Sequence, residues 1–513
     1  MSARRYVTAS LRVLFAASEC APLTKTGGLG DVAAALPAAL RRLGVDVHVL
    51  LPGYREVLGA VSAHAVAPVP PSAGFPPARL LAAEHPNGVP LLILACPQLY
   101  EREGGPYLNP QGLDWPDNAL RFGLLSHVAA WLASAHSPCD WRCDLVHCND
   151  WQTALAPAYL HWSGNTDIPS LVTIHNLAYQ GIFPPDVLPS LGLPAQSLDI
   201  NGLEFHGKVS FLKAGLYYAR RISTVSPTYA REIQSEPLGF GLHGLLAART
   251  GELEGILNGV DLDTWNPATD PCLSATYDAA SLARKSENTR ALRSRFGLQP
   301  RPEQPLLGVV SRLVAQKGID LVVQAADALA ALPAQLIVLG TGDAPIEQAL
   351  AAMAARNPGK VAVIRGFDEP LSHLIEAGAD IFLMPSRFEP CGLNQMYSQR
   401  YGTLPVVRRT GGLADSVVDC TPRSLESGAA TGFVFEAASR QALVAAVRRA
   451  VAAWRRPEIW QRLQRNAMAR DFGWAASARR YIALYKTMRT AAAYPSPAPE
   501  LRARSSTRSR TDG

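Results

Sequence analysis

RVLFAAS (12–18), KTGGLGDVAAALPAALRRLG (25–44) and VDVHVLL (45–51) run in succession as strand, glycine loop, helix and strand. Val32, Leu36, Ala39, Leu40 and Leu43 recur at helical spacing between the two apolar runs. A strand, a crossover helix and a second strand share a sheet as parallel neighbours. The scheme then repeats. PLLILAC, DLVHCND, PSLVTIHN and RRISTVS follow in the first half of the chain. PLLGVVSRL, AQLIVLGTGD, VAVIRGF, ADIFLMPSRFEP and LPVVRRTGG follow in the second. Each run is short, apolar and polar at its end, which makes the chain α/β with parallel sheets. In such sheets ligands bind beyond the carboxyl ends of the strands, so function belongs in those polar ends.

At 513 residues the chain exceeds one ordinary core, and two large domains are expected. The turn-rich stretch GILNGVDLDTWNP (255–267) marks the junction, giving domains of 1–254 and 255–468. Pro, Ser and Arg dominate residues 490–513, a composition that cannot bury a core and predicts a disordered tail. Arg4 and Arg5 before an apolar run imitate a short signal peptide, but Arg12 interrupts the run, which reads as the first core strand. No stretch of about 18 apolar residues predicts a membrane span. The net charge of +6 comes without a basic stripe, which argues against a nucleic-acid partner. Eight cysteines in so long a chain suggest free thiols in a reducing compartment, hence a cytoplasmic protein. Cys139, Cys143, His147 and Cys148 are spaced C-x3-C-x3-H-C, without the C-x2-C knuckle of common zinc sites.

The glycine loop admits several readings. GLGDVA (28–33) fits a dinucleotide fingerprint, yet the second strand ends without the carboxylate that would hold a ribose until Glu56. A tight structural turn is another reading. A phosphate or sugar-phosphate cradle suits the residues better: glycines admit close backbone approach, a helix N-terminus favours negative charge, and Lys25 adds a full positive charge. TGGLGD at 26–31 is echoed by TGGLAD at 410–415, which predicts two anion-facing helix N-termini. Arg312 and Lys317 follow a strand and suit a diphosphate leaving group. Glu389 lies at another strand end and could accept hydrogen bonds from sugar hydroxyls. His175 and Asp150 stand at strand ends of the first half.

The stretches KTGGLGDV, TIHNLAYQGIFP, FLKAGLYYA, TVSPTYAREI, GILNGVDLDTWNP, SRLVAQKG, LGTGD, SRFEPCGLNQ and YGTLPVVRRTGGLADSV together resemble the bacterial glycogen synthases and their relatives, the plant starch synthases. The resemblance runs from Lys25 to beyond Thr431. It implies a GT-B glycosyltransferase, with two Rossmann-like domains facing across a cleft. It implies transfer of glucose from ADP-glucose to the 4-hydroxyl at the non-reducing end of an α-1,4-glucan such as glycogen, with retained configuration. ADP-glucose is then a substrate, and no cofactor is expected. By motif, Lys25 and the backbone of Gly28 would meet the donor, and Arg312 and Lys317 its diphosphate. Glu389, Cys391, Gly392, Leu393 and Asn394 would line the glucose and phosphate site, with His175 and Asp150 on the opposite wall and Asn258 at the hinge side. A last helix over residues 469–487 would cross back to the first domain.

The chain departs from the family pattern at three places. Asn394 stands where Thr is usual, Asn149 where His is usual, and Tyr397 where related transferases carry a second glutamate. DLD (261–263) imitates a D-x-D metal motif, but three basic residues already supply the positive charge, so no metal is expected. A catalytically inactive glucan-binding protein on the same fold is the rival of a different class.

Overall fold

The computed structural model describes residues 10–72 and 74–490. The chain divides into two units. The first holds residues up to Ser223, then 233–253, and again from Tyr481; the second holds 224–232 and 254–480. The chain therefore enters the second unit briefly at 224–232 before its main passage. The last helix, Trp474–Thr490, starts in the second unit and ends in the first. The tail expected beyond Thr490 lies outside the described residues.

In the first unit, β1 (Arg12–Ala16), β2 (Asp46–Pro52), β3 (His64–Pro68), β4 (Arg79–Glu84), β5 (Pro90–Ala95), β6 (Leu145–Asn149) and β7 (Ser170–Ile174) form most of one large sheet. A small antiparallel sheet holds β8 (Ile182–Phe183), β9 (Glu204–Phe205) and β10 (Lys208–Ser210) in the order β8-β10-β9. The large sheet continues with β11 (Arg221–Thr224) and β12 (Leu253–Gly255), and its order is β12-β11-β7-β6-β1-β2-β5-β4-β3. β1, β2, β5, β6 and β7 pair parallel. β3 and β4 pair antiparallel at the edge, a hairpin that parallel alternation did not predict. Val13, Leu14, Phe15 and Ala16 of β1 are fully buried, because helices cover both faces of a parallel strand. The helix Asn118–Ala133 is apolar on nearly every side and correspondingly buried on nearly every side.

The second unit carries β13 (Leu306–Val310), β14 (Gln335–Gly340), β15 (Val361–Arg365), β16 (Ile381–Met384), β17 (Leu404–Arg408) and β18 (Phe433–Phe435), all parallel, in the order β15-β14-β13-β16-β17-β18. Counted within the unit this is third, second, first, fourth, fifth, sixth, the doubly wound Rossmann order. The first unit repeats it as β5-β2-β1-β6-β7-β11. Each sheet thus reverses its order beside its first strand, between β1 and β6 and between β13 and β16. Among the described residues no helix is long and apolar enough to cross a membrane.

The second core contains a costly group. Glu376 is buried, and neither carboxylate oxygen has a hydrogen-bond partner among the described residues. Burial holds it well above the ordinary carboxylate range, partly offset by Lys285. Lys285 Nζ is spent elsewhere, donating to Ala377 O and Thr403 Oγ1, each at 2.6 Å, and burial pulls its amine down to about 7. A carboxyl whose folded pKa is raised keeps its full stability contribution below the unfolded value of 4.5 and loses it as pH rises toward the folded value. The loss runs at about 1.4 kcal/mol per pH unit. Glu376→Met should therefore melt at or above the wild type at pH 8, and the gap should shrink toward pH 5. Thermal melts of both proteins across that range check it, and a gap that widens toward acid contradicts it.

Candidate active site

The residues singled out by sequence fall beside the two order reversals. In the second unit, the loop after β13 carries Arg312 and Lys317, and the loop after β16 carries Glu389. Lys317 Nζ lies 2.9 and 2.7 Å from the two carboxylate oxygens of Glu389, and Ser386 Oγ donates to one of them at 3.0 Å. Glu389 is 4% exposed, so this is a well-shielded ion pair rather than a surface one. Arg312 is exposed, two residues past the end of β13. Asn394 opens the helix after β16 and donates its Nδ2 to Val310 O at 2.9 Å, tying that helix to the last residue of β13. Cys391 is buried, and burial pushes its thiol up to about 12. Gly392 takes φ +71°, and Leu393 is half-buried. Asn258 is buried, with an Oδ1 that meets no hydrogen-bond partner among the described residues.

The second glycine motif has a task that its sequence echo did not reveal. A Cβ on Gly411 would lie 1.9 Å from Glu389 O, and one on Gly412 would lie 2.0 Å from Cys391 O. Gly412 N–H donates to Glu389 O at 3.1 Å. The two glycines are there so that the Glu389 loop can lie directly on this helix start. The anion at that helix end is internal: Gly411 N–H donates to both oxygens of Glu232 at 3.1 Å, and Thr410 Oγ1 donates to one at 3.0 Å.

The first unit shows the same arrangement. Glu19 Oε2 accepts from the N–H groups of Thr26 at 2.5 Å and Gly27 at 3.1 Å, and Tyr107 donates to its other oxygen. Burial pushes the Glu19 carboxyl up against those bonds. Lys25 pairs with Asp31 at 2.9 Å, both partly exposed, and Gly28 begins the helix Gly28–Arg42 with an exposed backbone. Neither carboxylate partner was anticipated: Glu19 lies only seven and eight residues before the amides it accepts from, whereas Glu232 lies 179 residues from Gly411.

Asp150 and His175 leave the adjacent parallel strands β6 and β7, and they touch. Asp150, at φ +55°, accepts the His175 N–H at 2.7 Å and the Asn176 N–H at 3.4 Å through Oδ1. Burial pushes its carboxyl up to about 7 against those two bonds. His175 Nε2 lies 2.9 Å from Asn149 Oδ1, and burial pulls the imidazole down to about 3. Asn149 donates Nδ2 to Ala16 O at 3.0 Å, so an asparagine at the end of the fourth strand is tied to the first strand here, as Asn394 of the helix after β16 is tied to β13 in the other unit. Lys25 shares no hydrogen bond with Asp150 or His175. His147, one of the cysteine-rich quartet, is fully buried between Tyr485 at 2.8 Å and Thr173 at 2.6 Å and is core.

Asp261 of DLD caps its own turn, accepting from Asp263 N–H and Thr264. A different trio, Asp270, Cys272 and His373, brings three potential ligand atoms within 4.8 Å of one another. There Asp270 Oδ2 already accepts from His373 at 2.7 Å and Tyr401 at 2.5 Å.

Phe367, missed by the sequence reading, follows β15 and is 78% exposed, an aromatic ring standing in water at a strand end.

A family model of the starch synthase catalytic domain matches residues 12–248, and one of group 1 glycosyl transferases matches residues 292–469. The chain is 59% identical over 486 residues to the glycogen synthase of Aromatoleum aromaticum, covering 94% of this chain and 98% of that one. It is 55% identical to the glycogen synthase of Nitrosospira multiformis, covering 93% and 97%. Among solved structures it is similar to the catalytic domain of starch synthase IV from Arabidopsis thaliana bound to ADP and acarbose, with a TM-score of 0.84, 33% identity, and 94% and 100% coverage.

Two outcomes follow from this geometry. Gly412→Ala should cut turnover by at least about tenfold by pushing the Glu389 loop away, whereas Ala at Gly59, where a Cβ meets nothing within 4 Å, should not; parallel rate and melting measurements compare them. Asp150 holds the His175 and Asn176 amides best as a carboxylate, so turnover should decline as pH falls through about 7. Its raised folded pKa also means that stability is lost as pH rises from the ordinary 3.8 to about 7 and levels off above it. Asp150→Asn, which tolerates the left-handed backbone, should lose that acid limb. A pH–rate profile of both proteins checks it.

Proposed function

This chain belongs to the bacterial glycogen synthase family, and from that premise we propose how its residues carry out the reaction. Glucose moves from ADP-glucose to the 4-hydroxyl at the non-reducing end of an α-1,4-glucan. The bond from C1 to the diphosphate oxygen breaks, the acceptor oxygen bonds to C1 on the same face, and the hydroxyl proton passes to the departing diphosphate. Negative charge grows on the departing diphosphate, so rate depends on cations placed there in advance. Arg312 and Lys317 are those cations. Glu389 stands beside the glucose, held in place by Lys317, Ser386 and the glycine helix beneath its loop. Cys391, Gly392, Leu393, Asn394 and Asn258 line the donor site. Lys25 and the Gly28 backbone supply a further phosphate contact on the first unit. Asp150 and His175 meet the sugar there.

The observation that carries this reading is the Lys317–Glu389 pair beside the order reversal of a Rossmann sheet. A cation and a carboxylate that neutralise each other can be redirected: the lysine toward phosphate, the carboxylate toward sugar hydroxyls. With side-chain cations at the diphosphate, no metal or cofactor is needed, and activity should survive EDTA. Free thiols at all eight cysteines fit a reducing cytoplasm.

The two members of the pair should separate on substitution. A hydrogen bond to a charged group contributes roughly 1.5–3 kcal/mol, or about ten- to a hundredfold in rate. Lys317→Ala should lose turnover in that range and weaken ADP inhibition. Glu389→Gln should lose turnover while binding ADP as well or better, since Lys317 no longer faces a full negative charge. Turnover with ADP-glucose and glycogen, ADP inhibition constants and circular dichroism on both variants make the test. Equal loss of ADP affinity in the two would contradict this division of roles.

A further inference from the structure

The His175 ring is held in a way that the established transfer does not by itself require. Its Nε2 faces Asn149 Oδ1 at 2.9 Å. An amide oxygen can only accept, so Nε2 must carry the proton. This conclusion rests on which way the Asn149 amide points, and the surroundings settle that. Asn149 Nδ2 sits 3.0 Å from Ala16 O and 3.5 Å from His147 O. Turned over, the side chain would set its oxygen against two carbonyl oxygens and its NH2 against the ring. The residue cannot drift either, being fully buried, with its N–H on Thr153 Oγ1 at 2.6 Å and its C=O taking the Thr153 hydroxyl at 2.9 Å. His175 Nδ1 meets no hydrogen-bond partner among the described residues.

We propose that Asn149 is a positioning residue that fixes His175 as the neutral Nε2–H tautomer, so that Nδ1 is a dedicated acceptor for a hydroxyl group of the sugar. This rests on the reading above that His175 meets the sugar. The titratable groups around the ring are Asp150, whose Oδ1 takes the His175 N–H, the buried His147 on β6, and Glu19, which acts on Asp150. Only carboxylates could favour an imidazolium here. Asp150 is engaged with backbone amides rather than the ring, and burial disfavours the charged ring further. The tautomer is therefore held by one buried amide. A histidine at position 149 could present either a donor or an acceptor to the ring, whereas asparagine locked this way presents only an acceptor.

The test uses the full chain. Side-chain imidazole nitrogen-15 spectra are recorded from pH 6 to 8, with the His175 signals assigned by their loss in His175→Ala. The native protein should show a protonated Nε2 and an unprotonated Nδ1 throughout. Asn149→Leu, which removes the acceptor, should populate the other tautomer or the imidazolium and lower turnover at least about tenfold. Asn149→Asp keeps an acceptor oxygen beside Nε2 but adds charge, so it should hold the Nε2 proton, raise the imidazolium population and move the pH–rate profile toward alkaline pH. A native His175 protonated on Nδ1, or an Asn149→Leu protein with unchanged nitrogen signals, overturns the proposal. Melting temperatures identify any variant that fails to fold, and the native spectrum decides the tautomer without any variant. If the spectra come out as expected but His175→Ala turns over like the native protein, the tautomer stands and the placement of His175 at the sugar fails.

Discussion

Where a parallel sheet reverses its strand order, the crossovers on the two sides must leave for opposite faces. The loops after the first and fourth strands are then left side by side, with no helix between them. Both units of this protein have that reversal at the same step, between β1 and β6 and between β13 and β16. The rest of the candidate site depends on it. It brings the Lys317 loop next to the Glu389 loop, and the end of β1 next to Asn149. Each reversal is closed by an asparagine amide donating to the last carbonyl of the first strand, Asn149 to Ala16 and Asn394 to Val310. An asparagine thus makes the same tie in both units, from the end of β6 in one and from the start of the helix after β16 in the other.

Electrostatics at these strand ends is arranged so that few charges stand alone. The glycine-rich helix starts, with N–H groups that favour an anion, receive one from the chain itself, Glu19 in one unit and Glu232 in the other. Lys317 and Glu389 satisfy each other, and Lys25 pairs with Asp31. A buried lysine or glutamate without its partner would carry several kcal/mol of desolvation cost. Pairing them leaves each available to a ligand that offers it a better partner. The exceptions are groups that burial drives toward neutrality: Glu376 in the core, and Asp150 and His175 at the site.

Glycine carried two meanings in the sequence that only packing could separate. In KTGGLGD and RTGGLAD the letters are nearly alike, and both do open helices. The first leaves Gly28 exposed at the helix start. The second is pressed against the backbone of Glu389 and Cys391, where a methyl group would overlap a carbonyl oxygen. Its service to chemistry is indirect, holding the acidic loop in register.

The alternation of apolar runs and helical spacing determined the α/β class, the parallel pairing and the placement of polar strand ends, because a period of two or 3.6 is written in neighbouring residues. The motifs determined the family, and they named candidate site residues for the same reason: Arg312, Lys317, Glu389, Asp150 and His175 each sit a few residues past a legible strand. What the sequence could not determine is which partner each of them meets. Lys317 and Glu389 are 72 residues apart, Asn149 and Ala16 are 133 apart, and Glu232 and Gly411 are 179 apart. Likewise the antiparallel hairpin β3–β4, the early excursion of 224–232 into the second unit and the exposure of Phe367 come from long-range packing. Such contacts are set by strand order, and strand order is a global outcome: it is decided by which arrangement buries both faces of every parallel strand at once, not by any local stretch of residues.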